Sequence, residues 1–173
     1  LATVITLDGS APRGPGAKMI IRRDGSIIGT IGGGILEAEV MKKAADVIRT
    51  GIAYVNEFHL KGKDFSDIDM TCGGDLEVLV DYIDSSDPLH RETFEYLSAN
   101  SDRKGLSYLV TMVPDREEEL KAPKQFIIKS DSSLIGTPAV SEEFISRVLS
   151  SASKYKVFRD ENQKRYIVEA VNI

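Results

Sequence analysis

The sequence contains a single cysteine, Cys72, in 173 residues. One thiol excludes an internal disulfide framework, and it excludes any multi-cysteine zinc or iron–sulfur site within the chain. A reducing cytoplasm permits such a composition, so we expect a cytoplasmic location. The chain begins at Leu1, already inside an apparent strand, and we expect the natural protein to begin earlier.

The chain also lacks an excess of positive charge, with 22 Lys and Arg against 27 Asp and Glu and a net charge of −5. We therefore expect no nucleic acid and no anionic membrane as partner, because no basic field exists to neutralise phosphates. The apolar runs are a few residues long, whereas a membrane-spanning helix needs about 20. No signal-peptide pattern begins the chain. Because the net charge is negative, any anionic ligand must be bound by a few specific groups at one site rather than by the overall field of the protein.

The hydrophobic content of 42% and the charged content of 28% are typical of a globular domain. The length predicts one domain over 1–173, with a division into two lobes, 1–83 and 84–173, as the alternative. Hairpins mixed with helices predict an α+β fold, a mixed α/β sandwich with a mostly antiparallel or mixed sheet and three main helices. Those helices are predicted after the triple glycine, from Asp87 to about Asn100, and from Ser141 to about Ser151.

A short apolar run leads into Gly32-Gly33-Gly34, and an amphipathic helical pattern follows. Three residues without Cβ permit positive φ and let a ligand approach bare amide groups. The free N–H groups and the dipole of the following helix favour an anion such as a phosphate. The alternative is a tight turn in which the glycines serve only packing.

Two familiar nucleotide motifs do not match this stretch. Walker A loops need Lys and then Ser or Thr after the glycines, whereas Ile35 follows here. The glycine spacing also differs from the G-x-G-x-x-G dinucleotide fingerprint. A nucleotide triphosphatase is therefore not expected.

Cys72 is the strongest nucleophile and the softest metal ligand in the chain, and it precedes Gly73-Gly74. Exposed amides beside it would stabilise a thiolate; the alternative is a small buried hydrophobic residue.

Acidic residues crowd the same segment, but the closing glutamate of an EF-hand is missing, which favours a solvated loop over a calcium site. These acidic residues are Asp64, Asp67, Asp69 and Asp75.

Three charged residues are further candidates for the binding site. Arg13 and Lys18 lie in and just after a loop rich in proline and glycine, where they would make charge-assisted contacts to a phosphate; ordinary surface charge is the alternative. Glu37 lies in the first turn of the predicted helix, where complementarity to the dipole alone explains it. His59 and His90 are predicted to be structural.

Three segments together resemble the N-terminal domain of the XdhC/CoxI family. They are Gly9 to Met19, Gly29 to Glu37, and Cys72-Gly73-Gly74 before a strand. The final Tyr166 to Glu169 resembles the segment that leads into the C-terminal Rossmann-like domain of that family, and from the resemblance we expect this sequence to lack that domain. Residues 84–165 carry no matched motif.

The resemblance implies a bacterial-type accessory protein that binds the molybdenum cofactor as cargo and has no catalytic turnover of its own. It implies sulfuration of the cofactor with a cysteine desulfurase, insertion into a molybdenum hydroxylase such as xanthine dehydrogenase, and a homodimer. We expect Gly32 to Gly34, Arg13 and Lys18 to hold the phosphate or pterin, and Cys72 to contact molybdenum. The matched positions Ser10, Glu37, Gly73 and Gly74 belong to the same expected site.

Two other classes of function are alternatives to a cofactor-binding accessory protein. An oxidoreductase fragment that binds a nucleotide through the same glycines predicts binding of NAD or FAD. A module for protein interaction or dimerisation predicts no small-molecule binding at all.

Overall fold

The computed structural model describes residues 1–59, 74–101, 105–115, 125–136, 140–151 and 153–171. The chain divides into two compact units. Among the described residues, unit 1 contains 1–59 and 74–82, and unit 2 contains the remainder from residue 83 onward. Each unit has one sheet and its own hydrophobic core.

The sheet of unit 1 has five antiparallel strands in the order β3-β2-β1-β5-β4. They are β1 (Ala2–Asp8), β2 (Lys18–Ile21), β3 (Ile27–Gly29), β4 (Tyr54–His59) and β5 (Asp75–Val80). The turn between β2 and β3 contains Asp24 and Gly25, and the Asp24 carboxylate accepts the Ser26 amide at 2.9 Å. In this hairpin β3 runs back antiparallel beside β2, with Gly29 opposite Met19. The chain therefore reaches the triple glycine near the start of β2.

Helix α1 (Gly34–Thr50) begins directly at the third glycine of the triplet and ends at Gly51, which takes the left-handed conformation typical of a C-cap. Its apolar side chains recur at helical spacing and are buried against the sheet: Leu36, Val40, Ala44 and Val47. Burial of each large side chain contributes about 1.5–3 kcal/mol. This packing fixes the start of α1 at one end of the sheet.

The sheet of unit 2 also has five antiparallel strands, in the order β8-β7-β6-β10-β9. They are β6 (Ser107–Val113), β7 (Gln125–Lys129), β8 (Leu134–Ile135), β9 (Tyr155–Arg159) and β10 (Arg165–Val171). In this sheet β9 is an edge strand and pairs with β10.

Unit 2 contains α2 (Pro88–Ala99) and α3 (Glu142–Leu149). Their N-caps are the predicted ones: Asp87 accepts the Leu89 amide at 2.8 Å, and Ser141 accepts the Phe144 amide at 3.1 Å. The core is aromatic, because the Phe144 ring lies 4.8 Å from the ring of Tyr166 and 6.2 Å from that of Phe158, measured between centroids.

The predicted α+β class, with antiparallel sheets and three helices, is confirmed. On α1, Glu39 pairs with Lys42 at 2.5 Å rather than with Lys43 at i,i+4, and the Lys43 ammonium lies 5.0 Å from the Tyr54 ring centroid. Stacking on an aromatic ring therefore competes successfully with the i,i+4 ion pair. Across the described residues, no helix combines the length and apolar character needed to cross a membrane.

Candidate functional site

The triple glycine adopts a conformation that residues with a Cβ rarely take. The φ angles of Gly32, Gly33 and Gly34 are 139°, 80° and 61°. A Cβ built on Gly33 would meet no atom within 4 Å, so the backbone there is open to approach by another molecule. The predicted requirement for positive φ is therefore met at all three positions.

The Glu37 side chain closes this turn. Its Oε1 atom accepts a hydrogen bond from the Thr30 hydroxyl at 2.6 Å and from the amides of Ile31 and Gly33 at 3.0 Å each. The Gly32 amide donates to the Thr30 hydroxyl at 3.2 Å. Glu37 thus holds together the two sides of the strand-to-helix turn.

This arrangement also changes the acidity of Glu37. Burial opposes ionisation, but the hydrogen bonds from the Thr30 hydroxyl and from the turn amides outweigh it and lower the pKa of Glu37 below its ordinary value. The carboxylate is therefore charged at neutral pH, and it satisfies amides that an external anion would otherwise contact.

The loop before β2 lies against the triple glycine. A Cβ built on Gly32 would lie 3.7 Å from the ring carbons of Pro12 and 3.5 Å from the Leu36 side chain. The β2–β3 hairpin therefore brings the triple glycine against the loop of the first motif.

The third motif reaches the same loop through Gly74. A Cβ at Gly74 would lie 2.8 Å from the carbonyl oxygen of Asp8, 2.8 Å from the amide nitrogen of Ser10 and 2.9 Å from the carbonyl oxygen of Ser10. Gly74 is buried there, and only glycine permits this backbone approach. Ser10 and Gly74 are therefore neighbours although 64 positions separate them in the sequence.

The two candidate cations have different environments. Arg13 is exposed in the loop, whereas Lys18 is half-buried at the start of β2. The Lys18 carbonyl accepts the Thr30 amide at 3.1 Å and would lie 2.5 Å from a Cβ on Gly29. The Lys18 backbone thus supports the glycine turn directly.

Part of the expected site lies outside the described residues, namely Cys72 and Gly73, together with the acidic residues Asp64, Asp67 and Asp69. Within the described ranges, no three or more His, Cys, Asp and Glu side chains are grouped so as to hold a metal ion. His90 is buried and accepts the Asp84 amide at 3.0 Å, and the exposed His59 pairs with Asp75 at 3.2 Å.

Sequence reasoning missed the contacts of Glu37 and the part of Thr30. A signal for them was present, because a carboxylate in the first helical turn that returns to the N-cap amide is the principle of the capping box. Here Glu37 is the fourth helical residue and Gly33 the N-cap, so the offset is one residue longer than in the usual motif.

The site consists of a glycine-rich strand-to-helix turn, the loop that contains Ser10 and Pro12, and the backbone at Gly74. Residues 1–58 match the model of the XdhC and CoxI family, and the predicted resemblance to that family is confirmed over this segment. Two of the three motifs, Gly9 to Met19 and Gly29 to Glu37, lie inside it.

Two curated relatives from Escherichia coli (strain K12) are similar to this chain. The molybdenum cofactor insertion chaperone PaoD is 30% identical over 89 residues, which are 51% of this chain and 28% of PaoD. The uncharacterized protein YqeB is 30% identical over 80 residues, which are 46% of this chain and 15% of YqeB. The chain therefore spans less than a third of the length of either relative.

A solved structure shares the fold. The crystal structure of a xanthine dehydrogenase from Bacillus halodurans superposes with a TM-score of 0.68 at 20% identity, over 99% of this chain and 47% of that one. The likeness extends through both units, beyond the segment that matches the family model.

Proposed function

We propose that this chain carries the molybdenum cofactor as cargo for insertion into a molybdenum enzyme. The observation that carries the proposal is the meeting of three motifs in unit 1, with Gly32 against Pro12 and Gly74 against Ser10. The description of PaoD as a molybdenum cofactor insertion chaperone supports the same role. In this role the chain holds and hands over a ligand and needs no turnover of its own.

The phosphate of the cofactor is proposed to bind at the start of α1. The Gly32 and Gly33 amides already have acceptors within the turn, so the amides of Gly34 and the next helical residues are the ones proposed to face the phosphate. The N-cap residue Gly33 has no side chain to accept the amides of the first turn, and a helix start of this kind favours an anion. Arg13 is proposed to add a charge-assisted contact, and Lys18 to support the pterin side.

Cys72 is proposed to contact molybdenum or to protect its sulfido ligand, because a thiolate is a soft ligand suited to such a centre. Gly74, two residues after Cys72 in the sequence, contacts Ser10 of the loop.

The partners proposed with this role are a molybdenum hydroxylase such as xanthine dehydrogenase, which receives the cofactor, and a cysteine desulfurase, which supplies sulfur. The proposed location is the cytoplasm, where a reduced thiol is maintained.

Anaerobic titration with molybdenum cofactor tests the proposal. We expect micromolar or tighter binding by the parent, and affinity about tenfold weaker for Cys72→Ala, which corresponds to about 1.4 kcal/mol. Ser98→Ala is the matched control, because it likewise removes one side-chain heavy atom, at an exposed position in unit 2. Unchanged affinity of Cys72→Ala would contradict the ligand role of the thiol.

Titration with NAD separates the alternatives. Binding of NAD, without binding of molybdenum cofactor, would favour a nucleotide-binding oxidoreductase fragment. Binding of neither ligand would favour an interaction module and would overturn the carrier role of this chain.

The homodimer is proposed through the edge of the unit 1 sheet. Ile20, Ile27 and Ile28 on the β2–β3 hairpin are 45%, 42% and 49% exposed, and Ile20 pairs with Ile28 across the strands. An exposed apolar edge strand is suited to pairing with a second copy. Sedimentation should show dissociation for Ile28→Lys, and no change for the control Leu106→Lys, whose side chain is 39% exposed in unit 2.

A further inference from the structure

A second candidate binding site lies wholly in unit 2, where a polar cavity of about 320 Å³ opens between the end of α3 and strand β9. Three of its lining residues are cations: Arg147 on α3, and Lys156 and Arg159 on β9. Ser150 and Ser151 also line the cavity; the Ser150 hydroxyl donates to the Arg147 carbonyl at 3.1 Å, so the Ser151 hydroxyl is the donor directed to a ligand here. None of the described residues that line the cavity is acidic, although the whole chain carries a net charge of −5.

Two of these cations are held over the same aromatic ring. The Arg147 guanidinium carbon lies 5.8 Å, and the Lys156 ammonium nitrogen 5.0 Å, from the centroid of Phe158. The ring attracts each cation, while the two positive charges repel each other. An anion bound in the cavity would attract both cations and offset this repulsion.

The cations have few competing partners. Among the described residues, Arg147, Lys156 and Arg159 form no ion pair with a carboxylate. Arg159 donates one hydrogen bond, to the Gln163 carbonyl at 2.8 Å, which leaves most of its guanidinium donors available. Arg147 does contribute to lowering the pKa of Glu161, but the main cause there is the hydrogen bond from Ser141, and Glu161 does not line the cavity.

We propose that this cavity binds a phosphate group, either as a free anion or on a small phosphorylated molecule. Guanidinium and ammonium donors converging with a hydroxyl match the acceptor oxygens of a phosphate. The volume lies at the lower end of the range of small-molecule sites. The site consists only of unit 2 residues, so it stands independently of the carrier role proposed for unit 1.

Calorimetric titration of the full chain at low salt tests the proposal. The probes are inorganic phosphate, inorganic pyrophosphate and a nucleoside monophosphate. We expect at least one probe to bind with a Kd below about 1 mM. Tighter binding of the two inorganic probes identifies a free anion, and tighter binding of the nucleotide identifies a phosphate carried by an organic group.

The variants Arg147→Gln and Lys156→Gln should each weaken binding about tenfold, because each removes a charge-assisted hydrogen bond. Lys154→Gln is the matched control: it removes the same charge two residues from Lys156, outside the cavity, and should change affinity less than twofold. All three side chains are exposed, so the folded state should persist.

Two outcomes would overturn the site. One is an absence of binding of every probe at millimolar concentration. The other is equal weakening by Lys154→Gln and Lys156→Gln, which would mean that only the general field of the surface attracts the anion. As a second measurement, amide NMR shifts on adding pyrophosphate should concentrate at Ser150, Ser151 and Arg159; shifts confined to other residues would also contradict the assignment.

Discussion

The Glu37 carboxylate accepts the Thr30 hydroxyl at 2.6 Å, so a side chain on the first turn of α1 is bonded directly to the end of the strand segment that precedes it. The same oxygen accepts the Gly33 amide at 3.0 Å. The turn that exposes the start of α1 is therefore held from inside by a negative charge. Glu37 acts as a positioning residue for the glycines.

Glu37→Gln should destabilise unit 1 by about 1 kcal/mol, because a neutral amide oxygen accepts these hydrogen bonds more weakly than a carboxylate does. Hydrogen exchange of β1 and β5 amides measures the change within unit 1. Glu39→Gln, which removes the exposed Glu39–Lys42 pair, should cost less than about 0.5 kcal/mol. Equal effects of the two changes would contradict the positioning role.

The contribution of Glu37 to stability should depend on pH. Because its folded-state pKa lies below the ordinary value of 4.5, the contribution is complete above that value and is lost as the pH falls through the folded pKa. Unfolding by urea at several pH values should show the parent and Glu37→Gln converging in stability as the pH falls below 4.5 and through the folded-state pKa of Glu37. A constant difference down to the acid limit would contradict this linkage.

The glycines of the turn should respond unequally to alanine. Gly33→Ala has open space, but its φ of 80° with ψ of −175° is a region essentially confined to glycine, so it should cost about 1–3 kcal/mol. Gly29→Ala should cost more, because its Cβ would also lie 2.5 Å from the Lys18 carbonyl oxygen. Gly14→Ala should be neutral or slightly stabilising. Urea midpoints compare the three; an equal cost for Gly33→Ala and Gly14→Ala would contradict the strain.

Gly74→Ala should displace the loop at Ser10, because the added methyl group would lie within 2.9 Å of three backbone atoms. We expect a loss of stability of about 1–3 kcal/mol and weaker binding of molybdenum cofactor. NMR shifts at Ser10 and Asp8 report the displacement. Unchanged shifts together with unchanged binding would mean that the Gly74 contact does not shape the site.

In unit 2, Asp160 is buried and its Oδ2 atom accepts the Tyr166 hydroxyl at 3.1 Å. Burial is the main cause that raises the pKa of Tyr166, and the hydrogen bond to Asp160 adds to it. Tyr166→Phe should cost about 1–2 kcal/mol, because one carboxylate oxygen loses its donor. Thermal unfolding measures the loss, and Tyr54→Phe, which removes only an exposed hydrogen bond to Asn56 at 2.8 Å, is the control.

The elements of the fold were predictable because local signals agreed with burial. Asp87 before Pro88, Ser141 before two glutamates, and Gly51 after the α1 pattern each marked a helix end that the structure retains. Alternation and turn residues likewise marked the hairpins. These signals act within a few residues, so a sequence displays them directly.

The site was predictable only in part. The approach of the triple glycine to the proline-containing loop follows from one hairpin, whose Asp24-Gly25 turn is a local signal in the sequence. The packing of Gly74 on Ser10 depends on β5 pairing with β1 across a long stretch of chain, and no local signal specifies such a contact. The contacts of Glu37 were hidden for another reason: the helix dipole alone accounts for a glutamate at that position.

The strand order of unit 1 has a consequence for protein synthesis. The family segment ends at residue 58, inside β4, yet β4 reaches β1 only through β5, which comes later in the chain. During synthesis, β1 to β4 therefore leave the ribosome before β5, the strand that lies between β1 and β4 in the sheet. The β2–β3 hairpin and α1 can begin to form early, but closure of the sheet waits until Val80 has emerged, and until then the apolar face of α1 has only part of its sheet to pack against.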